Sequence, residues 1–508
     1  MLVSVFVLQL FFFGFVALHR FVDGDEGYYL LGSRLVLTHQ KLYVDFWFPQ
    51  GPLLPILYAA WIKLAGATWT SARLFAAGLT AILGTLVTED VYHHRRSRLA
   101  GFVAAVLFAS STLAFAWFPI AKTYSIAALF LFAGYMVISR MRPASRPWLA
   151  FAGGLLFGLS VDTRSYLLLL TPLFVLWIFR GCNPGARKRR VLWFLAGLMA
   201  GNLPAVYLFL LSPNAFMFNN IGCEAVRSDW GLIGQWEQKI VLLAQLFLSG
   251  EGDTNAIQNG ILFFTSLGFL SLLPKASAPR FAFQIAASIG LISLLPTPTQ
   301  GQYFCFCVPF LLVSALCGAT ECVRGLGSPG VRKAVATGCI ALIACYVAVA
   351  ARDFRRFLIT GENVLGLEPG RENAFRLREV VAVSQAVDQV TSPGDAVASF
   401  WPGYLFQSHA KPFPGFENDF GLLLAHRITA EQRARYHILS RDDIETDFAS
   451  QLPAVVVLRD HIDRPTPNPF RRWVRGMEDG FRAVLVGSGY ERVRTVGDIS
   501  IYAHLPQR

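Results

Sequence analysis

The chain has 508 residues, of which 54% are hydrophobic, 14% aromatic and only 15% charged, with a net charge of +12. Soluble domains carry about 25% charged residues, so this composition excludes an ordinary soluble protein and points to a bilayer as solvent. The positive balance does not indicate nucleic acid, because the basic residues gather in short loops between apolar runs: "HHRRSR" (93–98), "RMRPASR" (140–146), "RGCNPGARKRR" (180–190), "PKASAPR" (274–280) and "ECVRGLGSPGVRK" (321–333). Lys and Arg mark cytoplasmic loops, so the basicity is read as topology.

In chain order, the first run is "LVSVFVLQLFFFGFVALH". It is about long enough to span a bilayer. It lacks a basic leader and a small-x-small cleavage site, so a retained helix is expected rather than a signal peptide. Arg20 on its far side counts against the orientation, but the five basic loops outvote it. With those loops inside, spans fall near 2–19, 71–91, 99–117, 120–139, 148–161, 165–180, 191–211, 257–273, 281–296, 303–320 and 334–351. That makes about eleven transmembrane helices, with the N-terminus cytoplasmic and the tail outside. A long first outer loop covers 20–70, and its stretch "QGPLLPILYAAWIKLAG" (50–66) is expected to lie along the outer interface without crossing.

Residues 352–508 change character. "RENAFRLREVVAVSQAVDQV" (371–390) has helical apolar spacing, and "DAVASFW" (395–401), "AVVVLRD" (454–460) and "ISIYAH" (499–504) read as strands. The expected fold class is therefore a polytopic α-helical membrane protein, 1–351, followed by an extracytoplasmic α/β domain, 352–508. The eight cysteines show no CxxC spacing and are expected to be mostly buried apolar side chains.

The unusual residues fall in the outer loops. Asp25 and Glu26 are adjacent, and neighbours on a helix point about 100° apart, so two separate roles are expected. Capping of a helix starting at Gly27, by Asp25 or Gly24, competes with catalysis and is compatible with it. Asp23 is expected to be a solvated acid. Asp45, in "YVDFWFPQGP", could orient the interface helix or pair with Arg34 or Lys41. Lys122 in "FPIAKTYS" and Arg164 in "VDTRSY" lie where helices meet the outer surface, where charges are costly and often functional. For these the plainer readings are snorkelling of Lys122 and pairing of Arg164 with Asp162. The loop "NAFMFNNIGCEAVRSDWG" adds Glu224, Arg227 and Asp229, and "PTPTQGQYF" adds Gln300, Gln302 and Tyr303. Scattered cations on one face suit a lipid-linked phosphate, and a carboxylate nearby suits a general base. No P-loop, GxGxxG after a strand or HExxH is present.

An Asp-Glu pair just past the first span, then "Y-x-D" and "GPL" entering an apolar stretch, resembles the C-type superfamily of membrane glycosyltransferases. The branch it resembles is the protein O-mannosyltransferase and lipid A aminoarabinose transferase group (glycosyltransferase family 39-like). The matching pieces are "DEGYYLLGSRLV", "KLYVDFWFPQGPLLPILYAAWIKLAG", "ARLFAAGLTAILGTL", "GGLLFGLSVDTRSYLLLLTP", "FNNIGCEAVRS" and "QYFCFCVPFL". The likeness covers roughly residues 1–350, and the tail is similar to the outer domain of many bacterial members. It implies an inverting transfer from a polyprenyl-phosphate sugar to an envelope glycan, lipid or protein, outside the cytoplasm of a bacterial inner membrane. It implies Asp25 as general base with Glu26 shaping the site. Tyr43, Asp45, Gln50, Gln302 and Tyr303 then fall in the acceptor and donor-sugar region. The sequence departs from lipid A-modifying members at Pro49-Gln50-Gly51-Pro52, where they carry a Lys before the Pro pair. It also has "AKTYS" where many relatives place an Asp. Donor-phosphate contacts are then expected from Lys122, Arg164 and Arg227. No nucleic acid partner is implied. No metal-ligand set is visible, and a divalent cation stays open, because metal dependence varies across the superfamily. A secondary transporter or lipid flippase is the alternative. Against it, the acids cluster at the outer face and no internal repeat is apparent. An envelope scaffold using the tail as a binding module is a third reading.

Overall fold

The structure, a computed structural model, describes all residues except 143–144, 228–230, 250–254, 276, 360–374, 460–468 and 505–508. Each of the eleven predicted spans coincides with helix. The first half runs α1 (Leu2–His19), α2 (Gly24–Leu37), α3 (Leu53–Ala65), α4 (Trp69–Arg95), α5 (Arg98–Ser110), α6 (Thr112–Trp117), α7 (Thr123–Ser139) and α8 (Trp148–Thr163). Among the described residues, four helices are long and apolar enough to cross a membrane: α1, α4, Gly301–Gly325 and Pro329–Ile359. Pro184–Gly201 and Leu203–Leu211, bent by 60°, make a fifth if taken as one span. Five of the other predicted spans fall on shorter apolar helices, and the span 281–296 falls on the helix Ala278–Ser293. These elements place large apolar side chains on the outside, with Phe11 74%, Leu210 72% and Leu291 71% exposed. That is the reverse of a soluble surface and is the signature of a helical membrane protein.

Helix α8 and Pro184–Gly201 approach closely through paired glycines. A Cβ on Gly154 would sit 2.1 Å from the Phe194 carbonyl oxygen, and one on Gly197 would sit 2.1 Å from that of Phe151. Gly154/Gly158 and Gly197/Gly201 repeat the small-x-x-x-small spacing that lets membrane helices touch backbone to backbone. Helix α3 is short, about 20 Å at 1.5 Å per residue, against a hydrocarbon core of about 30 Å. It buries Leu54, Tyr58 and Ile62 and exposes Leu64.

The C-terminal part forms a five-stranded mixed sheet: β1 (Ala396–Ser399), β2 (Lys411–Pro412), β3 (Val455–Arg459), β4 (Tyr490–Val496) and β5 (Ile499–His504), in the order β2-β1-β3-β5-β4. The three strands read from the sequence are β1, β3 and β5; Asp460, at the end of the second, lies outside the described residues. Strand alternation splits the residues between two cores. Val456, Leu458 and Tyr502 pack with Ile444, Phe448 and Phe481 in a core of their own. Val455, Val457, Ile499 and Ile501 join the main core that also holds Phe13, Trp69 and Trp117. One face of the sheet is therefore continuous with the helical part.

Several bonds seal that junction. Arg34 donates to the carbonyl oxygens of Leu405 (2.7 Å), Ser408 and Ala410 (2.5 Å), fixing α2 to the tail. Trp401 Nε1 donates to the Gly24 carbonyl oxygen at 2.8 Å. A Cβ on Gly27 would meet the Gly403 nitrogen at 2.7 Å, so only glycine allows this approach. Across the opening, Phe218 stacks on Tyr436 at 3.9 Å. The expected pairing of Arg34 with Asp45 is replaced by this carbonyl clamp.

Candidate active site

The stretch "VDGDEGYY" enters α2 through a capping box. Asp23 is the N-cap: its Oδ1 accepts the Asp25 N–H at 3.1 Å, and Glu26 Oε1 accepts the Asp23 N–H at 2.9 Å. The helix begins at Gly24, three residues before the expected start, and its cap is the residue expected to be solvated. Asp23 is 1% exposed. Its burial is compensated by Lys122, whose Nζ lies 2.9 Å from Asp23 Oδ1. A buried carboxylate requires such a partner.

The next two acids separate as the helix period demands. The Glu26 side chain is fully buried and faces Arg73 of α4, with Nε at 3.0 Å from Oε2 and Nη2 at 2.5 Å from Oε1. Oε2 also accepts the Ala121 N–H at 3.0 Å, and Arg20 Nη1 lies 3.9 Å from Oε1. Arg73 further donates to the carbonyl oxygens of Ala17 and Arg20, both at 2.7 Å. Glu26 therefore joins α1, α2, α4 and the turn before α7, and no open face is left for a substrate. Arg20 is likewise an interior residue, packed against Trp117 at 5.2 Å and Phe357 at 4.7 Å. Its position does not bear on loop charge.

Asp25 points the other way. Its side chain is 29% exposed, and Oδ2 lies 2.7 Å from Lys122 Nζ. Lys122 is 1% exposed and sits over Trp117 and Tyr124, at 5.3 and 5.6 Å. Held between two aspartates, it does not snorkel. It sets the direction of the Asp25 carboxylate.

Arg164 is the second cation of this region. It leaves the end of α8 and lies 4.8 Å from the Tyr124 ring, 5.4 Å from Tyr303 and 5.6 Å from Tyr166. It is 8% exposed, and its Nε has no hydrogen-bond partner among the described residues. The expected pairing with Asp162 is absent: Asp162 Oδ1 instead accepts the Ala205 N–H at 3.0 Å. The end of α8 also receives the long loop between α2 and α3, because a Cβ on Gly51 would fall 2.1 Å from the Asp162 carbonyl oxygen. Arg227 is exposed and lies 3.7 Å from Glu224. Its further electrostatic neighbours are Tyr303, Asp25 and Tyr28.

Asp25, Lys122, Arg164, Arg227 and Tyr303 therefore converge. Gln302 is buried beside Tyr303, with Oε1 unpartnered among the described residues. Tyr43, Asp45 and Gln50 are placed differently. Tyr43 has φ of 68° and donates through its hydroxyl to the Gln50 carbonyl oxygen at 2.5 Å. Asp45 is exposed and accepts the Lys41 N–H at 2.6 Å, closing its own turn. These three shape the first loop. Asp229 lies outside the described residues. Among the described residues no group of three or more metal-ligating side chains occurs. The sequence reading missed Arg73, the buried role of Asp23 and the aromatic cage of Tyr124 and Tyr166. An arginine in the first turn of an apolar span is a costly feature that marks Arg73 in hindsight.

No family model matches the chain, and no curated protein matches it. Solved structures do. It is similar to ArnT from Cupriavidus metallidurans bound to undecaprenyl phosphate, with a TM-score of 0.65, 14% identity and 99% of each chain covered. The apo state of the same ArnT gives the same values. The likeness is one of fold, over the whole length of both chains. Arabinofuranosyltransferase AftD from Mycobacteria is also similar, with a TM-score of 0.51 and 14% identity, covering 100% of this chain and 41% of AftD. The fold resemblance expected from the sequence is thus found in ArnT, and the likeness extends through the C-terminal part.

Proposed function

We propose that the protein is an inverting glycosyltransferase that moves a sugar from a polyprenyl-phosphate donor to an envelope acceptor at the outer face of the bacterial inner membrane. The observation that carries this reading is a partly exposed carboxylate, Asp25, set beside a caged arginine, Arg164, that has no carboxylate within ion-pair distance among the described residues. A buried guanidinium with no carboxylate partner among the described residues is prepared for an anion, and a lipid phosphate is one of matching charge. The fold neighbour bound to undecaprenyl phosphate supports that choice of anion.

The chemistry follows from the placement. Asp25 takes the acceptor hydroxyl proton as the oxygen attacks the anomeric carbon. Lys122 holds Asp25 in position from the buried side. Arg164 and Arg227 stabilise the charge growing on the departing phosphate. A phosphate leaving group needs no acid, so one carboxylate is sufficient. Glu26 acts through Arg73 as a positioning residue. The orientation, with the basic loops in the cytoplasm, the N-terminus inside and the C-terminal sheet outside, rests on loop charge.

The test is mass spectrometry of envelope glycans and glycolipids from cells with and without the protein. One sugar mass should vanish without it. Asp25→Asn should insert into the membrane normally and fail to restore that mass, a loss of about 10²–10⁴-fold in transfer. Wild-type product from Asp25→Asn would overturn the assignment.

A further inference from the structure

We propose that the end of α8 away from Arg164 is part of a binding site for an anionic phospholipid. The site is built by the start of α8, the end of Thr171–Arg180 and the start of Pro184–Gly201, and the lipid headgroup lies among Arg142, Arg146, Arg180, Lys188 and Arg189. Helix α8 has 16 residues, so the site is about 24 Å from Arg164 along the helix and does not depend on the transfer reading.

One buried arginine assembles this surface. Arg190 is 3% exposed and donates to the carbonyl oxygens of Arg142 (3.1 Å) and Ser145 (2.6 Å) and to Cys182 Sγ (3.0 Å). It thereby joins the loop before α8 to the loop after Thr171–Arg180. Arg187 donates to the Cys182 carbonyl oxygen at 3.2 Å and lies 4.8 Å from the Phe179 ring. Around this staple Arg142, Arg146, Arg180, Lys188 and Arg189 are exposed, none with a carboxylate within ion-pair distance among the described residues. The sequence supplies almost none: residues 91–223 hold a single acid, Asp162, at the other end of α8. The fold uses Arg187 and Arg190. Lys188 and Arg189 stand in the first turns of a helix, where the dipole disfavours cations, and no ion pair in the described chain offsets that cost.

The side chains next to these cations decide which anion they meet. Lys188 and Leu192 are four residues apart on Pro184–Gly201, as are Arg189 and Trp193, so each pair shares a face one turn apart. Leu192 is 66% exposed and Trp193 43%, with Phe179 and Trp148 exposed beside them. Trp193 meets Phe151 of α8 edge-on at 6.0 Å, so the two helices share this apolar band. One turn, about 5.4 Å, takes the surface from side chains that face hydrocarbon to cations at headgroup depth, with tryptophan at the boundary. The fitting ligand therefore joins a negative charge to an apolar body in one molecule, which a phospholipid does. A nucleic acid or an acidic protein has nothing to set against the apolar band.

The experiment uses the full-length protein in neutral detergent and follows its thermal midpoint during titration with phosphatidylglycerol. A lipid bound by the folded state raises the midpoint. Lys188→Gln with Arg189→Gln should increase the concentration for half of that rise by about 10–30-fold, since each cation near an anionic headgroup contributes about fivefold. Each single variant should give about fivefold, and Lys188→Arg with Arg189→Lys should titrate as wild type. Arg332→Gln with Lys333→Gln, exposed cations of another basic loop, should also titrate as wild type. Equal shifts from the two glutamine pairs would mean diffuse attraction to any basic loop and overturn the inference. So would an equal rise with phosphatidylcholine, or with inorganic phosphate alone.

Discussion

Helix α4 carries a charged cluster near each end, and the two are built differently. Near its first turn, Arg73 joins a group that includes Glu26, Asp23, Lys122 and Asp25. Near its last turn, Arg140 Nη2 holds Glu89 at 2.5 Å and Asp90 at 2.7 Å, and Arg95 pairs with Glu321. Tyr135 adds a hydroxyl bond to Asp90 at 3.2 Å. In the second cluster each arginine is matched to a carboxylate, which is what holding helices together requires. The first cluster has the same closed part around Glu26 and adds an open part. There Asp25 keeps 29% of its side chain exposed, and Arg164 is enclosed by rings with no carboxylate within ion-pair distance among the described residues. Charge inside a membrane protein thus has two uses, and a carboxylate partner separates them: Arg95 and Arg140 each have one, and Arg164 has none within ion-pair distance among the described residues. Burial does not, since Glu26 and Arg164 are both buried.

This contrast can be broken by substitution. Arg73→Met removes the close ion pair of the buried Glu26, leaving two backbone N–H donors and Arg20 at 3.9 Å, and should destabilise the fold by about 3–5 kcal/mol, read as lost membrane expression and a lower thermal midpoint. Arg140→Met, at the other end and partly exposed, should cost about 1–2 kcal/mol and leave transfer intact. Equal costs would show that the two closed clusters are equivalent. Next, Arg164→Gln should slow transfer by about 10²–10³-fold, or about 2.7–4 kcal/mol, with little change in thermal midpoint. A large stability loss with normal turnover would move Arg164 into the structural class.

The smallest effect concerns pH, in the tail. Burial pushes the Glu417 carboxyl up to about 7, opposed by backbone hydrogen bonds, including the Gly415 N–H to Oε2 at 2.8 Å. A folded value above the unfolded one means the protonated form favours folding. That stability is fully present below the unfolded value and is lost as pH rises through about 7. Glu417→Gln keeps an acceptor for Gly415 and removes the charge. Its thermal midpoint should fall less than wild type between about pH 5 and 8, by the equivalent of about 1 kcal/mol. Identical pH profiles would show that this carboxyl is not held neutral by the fold.

The apolar runs by themselves determined where helices form, and the alternating runs determined β1, β3 and β5, because period and composition are local properties. The pair Asp25-Glu26 and the cations Lys122 and Arg164 were also visible, as charges where an apolar chain tolerates few. Helix geometry alone made the two acids diverge. It could not say which faces inward, since that depends on Arg73, 47 residues away from Glu26. Asp23 looked solvated because its partner Lys122 is 99 residues away. The loop residues Tyr43, Asp45 and Gln50 were placed with the site by motif, and their backbone turns direct them to each other or to their own loop. Contacts between distant segments, not local pattern, decided which charges stay open to a substrate.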